Sequence, residues 1–267
     1  VPYEKIKLAT KERRAAQMNL STLPLGLTFF EGKINNEIYL VDKIRLVMPK
    51  KRVVWTLLDR FFAWLYPFMP FLDQECFNKT LAKLIGPRSD DDVNIEELKV
   101  VSRKDLAYLG TLLVVLRMLY LSLFVNKASV NEQRLVSEDP SPEAQELKYL
   151  LSNPISIDLI DLAQMCQNQF QVMRRNLLAV LQLCLFLRIY QSFAPEEGDA
   201  VDGSDAQISN ATMVQMAFSM GLNRDPEKIE GMTCPRENHL CRKIWWFLYN
   251  SSIFHSYSYG DPLFFLK

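Results

Sequence analysis

Apolar positions recur at three- and four-residue intervals along most of this chain, and the two-residue alternation of a half-buried strand is almost absent, so the pattern predicts helices. In residues 52–66, Val53, Val54, Leu57, Leu58, Phe61, Phe62 and Leu65 share one side, and Pro67 and Pro70 end the helix. A second helix is predicted over 74–85, followed by a polar interruption, GPRSDDDVN, at 86–94. The segment from about 102 to 126 is apolar nearly all round and belongs at the centre of a domain, with Ser102 as its N-cap. Its apolar run at 106–125 is long enough to cross a membrane. Arg117 in mid-run and the bordering Arg103-Lys104-Asp105 favour a buried core helix instead.

Residues 127–145, with Glu138, Asp139, Pro140, Ser141, Pro142 and Glu143, are expected to form an exposed loop or a gap between segments. Helical pattern resumes at 155–171 and 173–193, and the acidic stretch APEEGDAVDGSDA at 194–206 is expected to be a mobile loop. After a helix at 207–220, Gly221 falls where a left-handed residue would end it, with Leu222 placed to fold back onto Ala217. Asp225-Pro226-Glu227 then predicts a fresh helix start. An Asp there accepts from free N–H groups, and a Pro has no N–H to leave unpaired. The last helix is predicted over 236–257, with Leu240, Ile244, Phe247, Leu248, Ser251 and Phe254 on one face and Trp245 and Trp246 closing it against neighbours.

Composition narrows the function classes. Of 267 residues, 49% are hydrophobic and only 9 are glycine, which fits an all-α domain of about eight to ten packed helices without substantial sheet. Basic and acidic residues both number 31, so no net field draws this span onto DNA or an anionic membrane. The basic N-terminal stretch, with Lys5, Lys7, Lys11, Arg13 and Arg14, has no apolar core behind it and is not a secretory signal. The odd cysteine count, 5, in mostly apolar surroundings indicates reduced thiols.

Candidate chemistry is sparse, and no catalytic or metal-binding residue is assigned. No GxSxG, HExxH or phosphate-binding glycine loop occurs. His239 and His255, the only histidines, lie sixteen residues apart on one predicted helix, about 24 Å along its axis, and cannot share a metal. Cys234 and Cys241 lack the second ligand pair a structural zinc needs. Cys234-Pro235 matches a haem-regulatory dipeptide, but an isolated dipeptide is a weak signal. Asp90-Asp91-Asp92 suits a solvated loop better than a cation site, and Met165, Met173, Met213, Met216 and Met220 suit ordinary core better than a ligand pocket.

The most specific pattern is GLNRDP at 221–226, CRKIWW at 241–246 and Gly260-Asp261-Pro262, with Gly260 fourteen residues after Trp246. Together with LVMPKKRVVWTLLDRFFAWLYPFMPFLDQECF at 46–77, these segments resemble the middle homology region of fungal binuclear zinc-cluster transcription factors. The motif residues carried over are Gly221, Leu222, Arg224, Asp225, Pro226, Arg242, Trp245, Trp246, Gly260 and Pro262, all in a structural role. Asn223, Cys241, Lys243, Ser252-Ile253 and Asp261 depart from the family pattern, and the departures remove an ion pair between the last helix and the closing turn.

The resemblance implies a nuclear, non-enzymatic domain that regulates transcription by RNA polymerase II. It implies a lead-in segment at 1–45 and the regulatory domain at 46–267. Zinc and DNA contact are expected only through a DNA-binding domain whose cysteine cluster this sequence does not contain. Expected partners are a small apolar effector held among the helices, coactivator or mediator subunits, and a second copy or a related factor as homodimer or heterodimer. The alternative is a dimerisation or coactivator-binding module without a small ligand.

Overall fold

The computed structural model describes residues 36–170, 177–194, 203–229 and 234–260. Among these residues it is all-helical, with ten α-helices and no strand. In chain order they are α1 Asn36–Val47, α2 Lys51–Arg60, α3 Gln74–Leu84, α4 Arg103–Ser122, α5 Ala128–Val136, α6 Pro142–Leu151, α7 Asp158–Asn168, α8 Leu178–Phe193, α9 Gly203–Ser219 and α10 Pro235–Tyr259.

Helix α4 is the axis of the domain. Twelve of its residues are buried, from Leu106 through Tyr120, and α7, α8, α2 and α3 pack around it. This surrounding protein, rather than lipid, takes up its apolar surface. At its start, Asp105 accepts hydrogen bonds from the Ser102 backbone N–H (2.8 Å) and the Val101 N–H (3.1 Å), in a capping box. Arg117, the one basic residue within the apolar run, donates to the backbone carbonyl of Ile155. Its charge is thereby used to tie α4 to the segment leading into α7.

Close packing at Gly110 brings three helices together. A Cβ built there would lie 3.0 Å from Leu183 Cδ2 on α8 and 3.1 Å from Cys166 Cβ on α7. Only a glycine lets both neighbours approach α4 at this height. A second cluster, of aromatic rings, joins the segment after α2 to α8 and α10. Phe186 meets Phe61 and Phe71 with centroids 5.8 and 6.0 Å apart, and Phe71 meets Phe247 at 4.6 Å, all edge-on. The buried Gln182 side chain donates to the Phe71 carbonyl at 2.5 Å and fixes the turn that carries this ring.

Several boundaries differ from the expectation. Helix α1 crosses the division placed at residue 45, and its Leu40 and Ile44 are fully buried in the common core. The stretch at 127–145 is not a loop: it contains α5 and the start of α6. Helix α5 buries none of its side chains and so lacks the apolar stripe that would have marked it. Polar contacts hold it, with Arg134 donating to the Leu123 carbonyl at 2.9 Å and Asn131 to the Val125 carbonyl at 2.8 Å, both at the end of α4. Ser141 and Pro142, expected in a loop, are the N-cap and first residue of α6. Helix α9 begins at Gly203, inside the expected acidic loop, whose residues 195–202 lie outside the described residues together with Met173.

Substituting Gly110 with valine is expected to lower stability by about 1–3 kcal/mol through overpacking. A domain of this size would then melt about 2–12 °C lower, measurable by circular dichroism at 222 nm with helical content before the transition unchanged.

Candidate functional site

Of the motif residues predicted from sequence, Gly221, Leu222, Arg224, Asp225, Pro226, Arg242 and Trp245 lie where α9 meets α10. The end of α9 is closed by a Schellman motif. Gly221 takes φ +74°, the Leu222 N–H donates to the Ala217 carbonyl at 3.0 Å, and the Gly221 N–H to the Phe218 carbonyl at 3.0 Å. Leu222 is buried at the turn. Asp225 caps the next turn, Pro226–Lys228, by accepting from the Glu227 N–H at 3.3 Å, with Pro226 buried at the first position.

Arg242 on α10 clasps this turn, donating to Asp225 at 2.6 Å and to Glu227 at 2.8 Å. The Arg242 guanidinium, and then the Glu227 N–H, hold the Asp225 carboxyl below the usual carboxylate range, and the two carboxylates raise Arg242. All three side chains remain partly exposed, which places the clasp on the surface. Arg224, the other basic residue of the motif, is itself exposed.

The two indoles divide. Trp245 is half-buried and packs edge-on against Phe218 of α9, centroids 5.5 Å apart. Asn210 and Ser251 join the same pair of helices at 3.1 Å, so α9 and α10 run antiparallel. Trp246, expected to close the core, is 58% exposed, and so is Phe254 at 70%. Adjacent residues on a helix point about 100° apart, and the core takes Cys241, Ile244 and Leu248 instead. Gly260 ends α10 with φ +75°, its N–H donating to the Ser256 carbonyl at 2.9 Å. Pro262, with Asp261, lies outside the described residues.

A second feature had no sequence signal. Arg52, Thr56, Asp59 and Arg60 of α2, Arg88 and Asp90 of the 86–94 segment, and Glu146 of α6 line an open cleft of about 510 Å3. It is zipped by ion pairs: Arg88 grips both oxygens of Asp59 at 3.0 and 2.5 Å, and Arg60 meets Glu146 at 3.0 Å. Asp92, expected to be a free loop acid, accepts from Lys50 at 2.5 Å and from the Tyr149 hydroxyl at 2.6 Å. Lys50 and Tyr149 hold its carboxyl low, while burial and the Asp92 bond push Tyr149 up to about 12. The lining carries three positive and three negative side chains; four of them form the two ion pairs, and Arg52 lies over the Tyr149 ring, 4.5 Å from its centroid.

Nothing described gathers into a reaction centre. No group of metal-ligating side chains occurs among the described residues. Cys234 is exposed and Cys241 buried, so the C-x6-C pair does not face one space. Burial pushes the thiols of Cys166 up to about 12 and of Cys184 and Cys241 up to about 11, which keeps them protonated and poor as ligands or nucleophiles. His239 is exposed and His255 half-buried on the same helix, and Met213 and Met216 are buried in the core.

Residues 58–267 match the family model described as the fungal specific transcription factor domain. The chain is 51% identical over 263 residues to multidrug resistance regulator 1 of Candida albicans, covering 98% of this chain and 23% of that protein. It is 29% identical over 200 residues to multidrug resistance regulator 2 of the same organism, covering 75% of this chain and 24% of that protein. Against the oleate-activated transcription factor 1 of Saccharomyces cerevisiae it is 25% identical over 219 residues, covering 78% and 20%. The chain thus spans a fifth to a quarter of the length of these relatives. No solved structure gives a significant match.

Asp225→Asn keeps a capping oxygen but removes the charge that Arg242 meets. Because the folded carboxyl titrates below its unfolded value, its stabilisation is present above the unfolded value and is lost as pH falls through the lower folded value. The variant is expected to melt slightly below wild type at pH 7. That gap should narrow as pH falls below the ordinary Asp value of 3.8, and also in about 1 M salt at pH 7, as read by parallel thermal melts.

Proposed function

From the premise that this chain belongs to the fungal specific transcription factor domain family, we propose that it is a regulatory domain that answers to a small apolar molecule. Family membership makes it part of a transcription regulator and not an enzyme. The proposal adds the effector: binding among the helices shifts the domain between two arrangements, and a partner segment or protein reads the change. Zinc and DNA contact would belong to another part of the protein, and the nucleus would be where it acts.

The likeness over 98% of the chain to a protein named a multidrug resistance regulator carries the effector reading. A more distant relative is named as oleate-activated. An effector can bias the domain only by its different affinity for two arrangements. At Gly110 the packing is already tight, with neighbouring atoms where a Cβ would stand. A molecule entering that crossing would have to part α7 and α8 from α4, and parting them is the kind of two-state change a regulator requires.

A second reading is an interaction module without a small ligand, among whose partners a coactivator, a mediator subunit or a second copy would be expected. The aromatic surface that α10 leaves uncovered favours it.

Thermal melts with a panel of apolar drugs and with oleate separate the two. An effector at about a hundred times its Kd adds about 2.7 kcal/mol, raising the melting point by about 5–10 °C. A panel without any such shift overturns the sensing proposal and leaves the interaction module.

A further inference from the structure

We propose that the outer face of α10 is a self-association surface through which two copies of this chain pair. Trp246, Ile253, Phe254 and Tyr257 stand on this helix with exposures of 58, 40, 70 and 89%. Tyr249 lies between the first two, edge-on to Trp246 at 5.5 Å. Positions 246, 249, 253 and 257 recur at three- and four-residue steps, so they form one stripe about 17 Å long.

The chemistry of the stripe selects its occupant. Between Ile244 and Gly260 there is no Asp, Glu, Lys or Arg. An acidic peptide or a nucleic acid would find no charge to pair with there. Aromatic enrichment with depletion of charge is the composition of an interface core rather than of ordinary solvated surface. A contact between two copies doubles whatever charge the patch carries, and here there is none to repel. The exposed side chains offer roughly 500 Å2 per copy, so a pair would bury about 1,000 Å2, the lower bound for a specific interface.

An antiparallel contact about a two-fold axis puts Trp246 of one copy opposite Tyr257 of the other, with Ile253 near the axis. Both aromatic side chains are exposed in the single chain, so replacing them should leave its fold intact.

Sedimentation velocity and light scattering between about 1 and 200 µM test this. The expected result is a reversible equilibrium between a species of 31.0 kDa and one of twice that mass. Trp246→Glu and Tyr257→Lys should each weaken association at least tenfold, with the helical signal and melting point of the dilute chain unchanged. Mixing the two variants should restore pairing, because the new carboxylate and ammonium then face each other. A chain that stays monomeric at 200 µM overturns the proposal, as does a dimer that survives both substitutions. So does a monomer whose 246–257 face hydrogen exchange shows to be covered by other residues of the same chain. Failure of the mixture to pair overturns the two-fold contact.

Discussion

A helix that is apolar on every side has to be enclosed on every side, and α4 imposes that requirement on the rest of the domain. Four helices surround it, and two of them reach it only because residue 110 has no side chain. Its one buried-run cation, Arg117, finds its acceptor in a backbone carbonyl next to α7. The core around α4 extends beyond the helices that touch it, to Leu40 and Ile44 of α1 and to Cys241, Ile244 and Leu248 of α10, and polar contacts at the surface add to it. Helix α5 is attached by side chains reaching the last carbonyls around the end of α4, and α10 through the ring cluster at Phe71 and its contacts with α9.

This division bears on regulation. At the α9–α10 corner the buried side chains of α9 and α10 belong to the common core, but the backbone turn and the partly exposed arginine clasp outside it cost less to disturb than the α4 crossing. The cleft beside α2 is likewise held by partly exposed ion pairs between segments far apart in sequence. A domain built this way has a rigid axis and a softer perimeter. An effector that opens the axis must supply far more differential binding energy than a partner that rearranges the edge.

Much of this is legible in the sequence because it is written locally. The stripe in α2, the all-round apolarity of α4, the αL glycine at 221 and the Asp-Pro start at 225 each depend on residues within a turn or two. The features that stay hidden have no apolar period or no local partner. Helix α5 buries no side chain, its Leu135 and Val136 being exposed; Arg60 and Glu146 are 86 positions apart; and the five-residue π-helical turn Phe61–Leu65, closed by the Tyr66 N–H on the Phe61 carbonyl, leaves Trp64 exposed on what reads as a continuing amphipathic helix. Helix α1 does carry a local signal, since Leu40, Ile44 and Val47 have the same spacing as the apolar positions of the other helices. Trp245 and Trp246 look alike in sequence because they are adjacent, although two consecutive helical positions cannot both face one neighbour.

The distribution of sulfur gives the fold a property unrelated to its family. Three thiols, on α7, α8 and α10, are shut inside with their protons held tightly, while Cys76 and Cys234 stand at the surface. Thiol-directed electrophiles would therefore meet two cysteines on the intact domain and five once the helices separate. The chain thus keeps a chemical record of its own breathing, because alkylation at residue 166, 184 or 241 can occur only in molecules that have come apart at that helix.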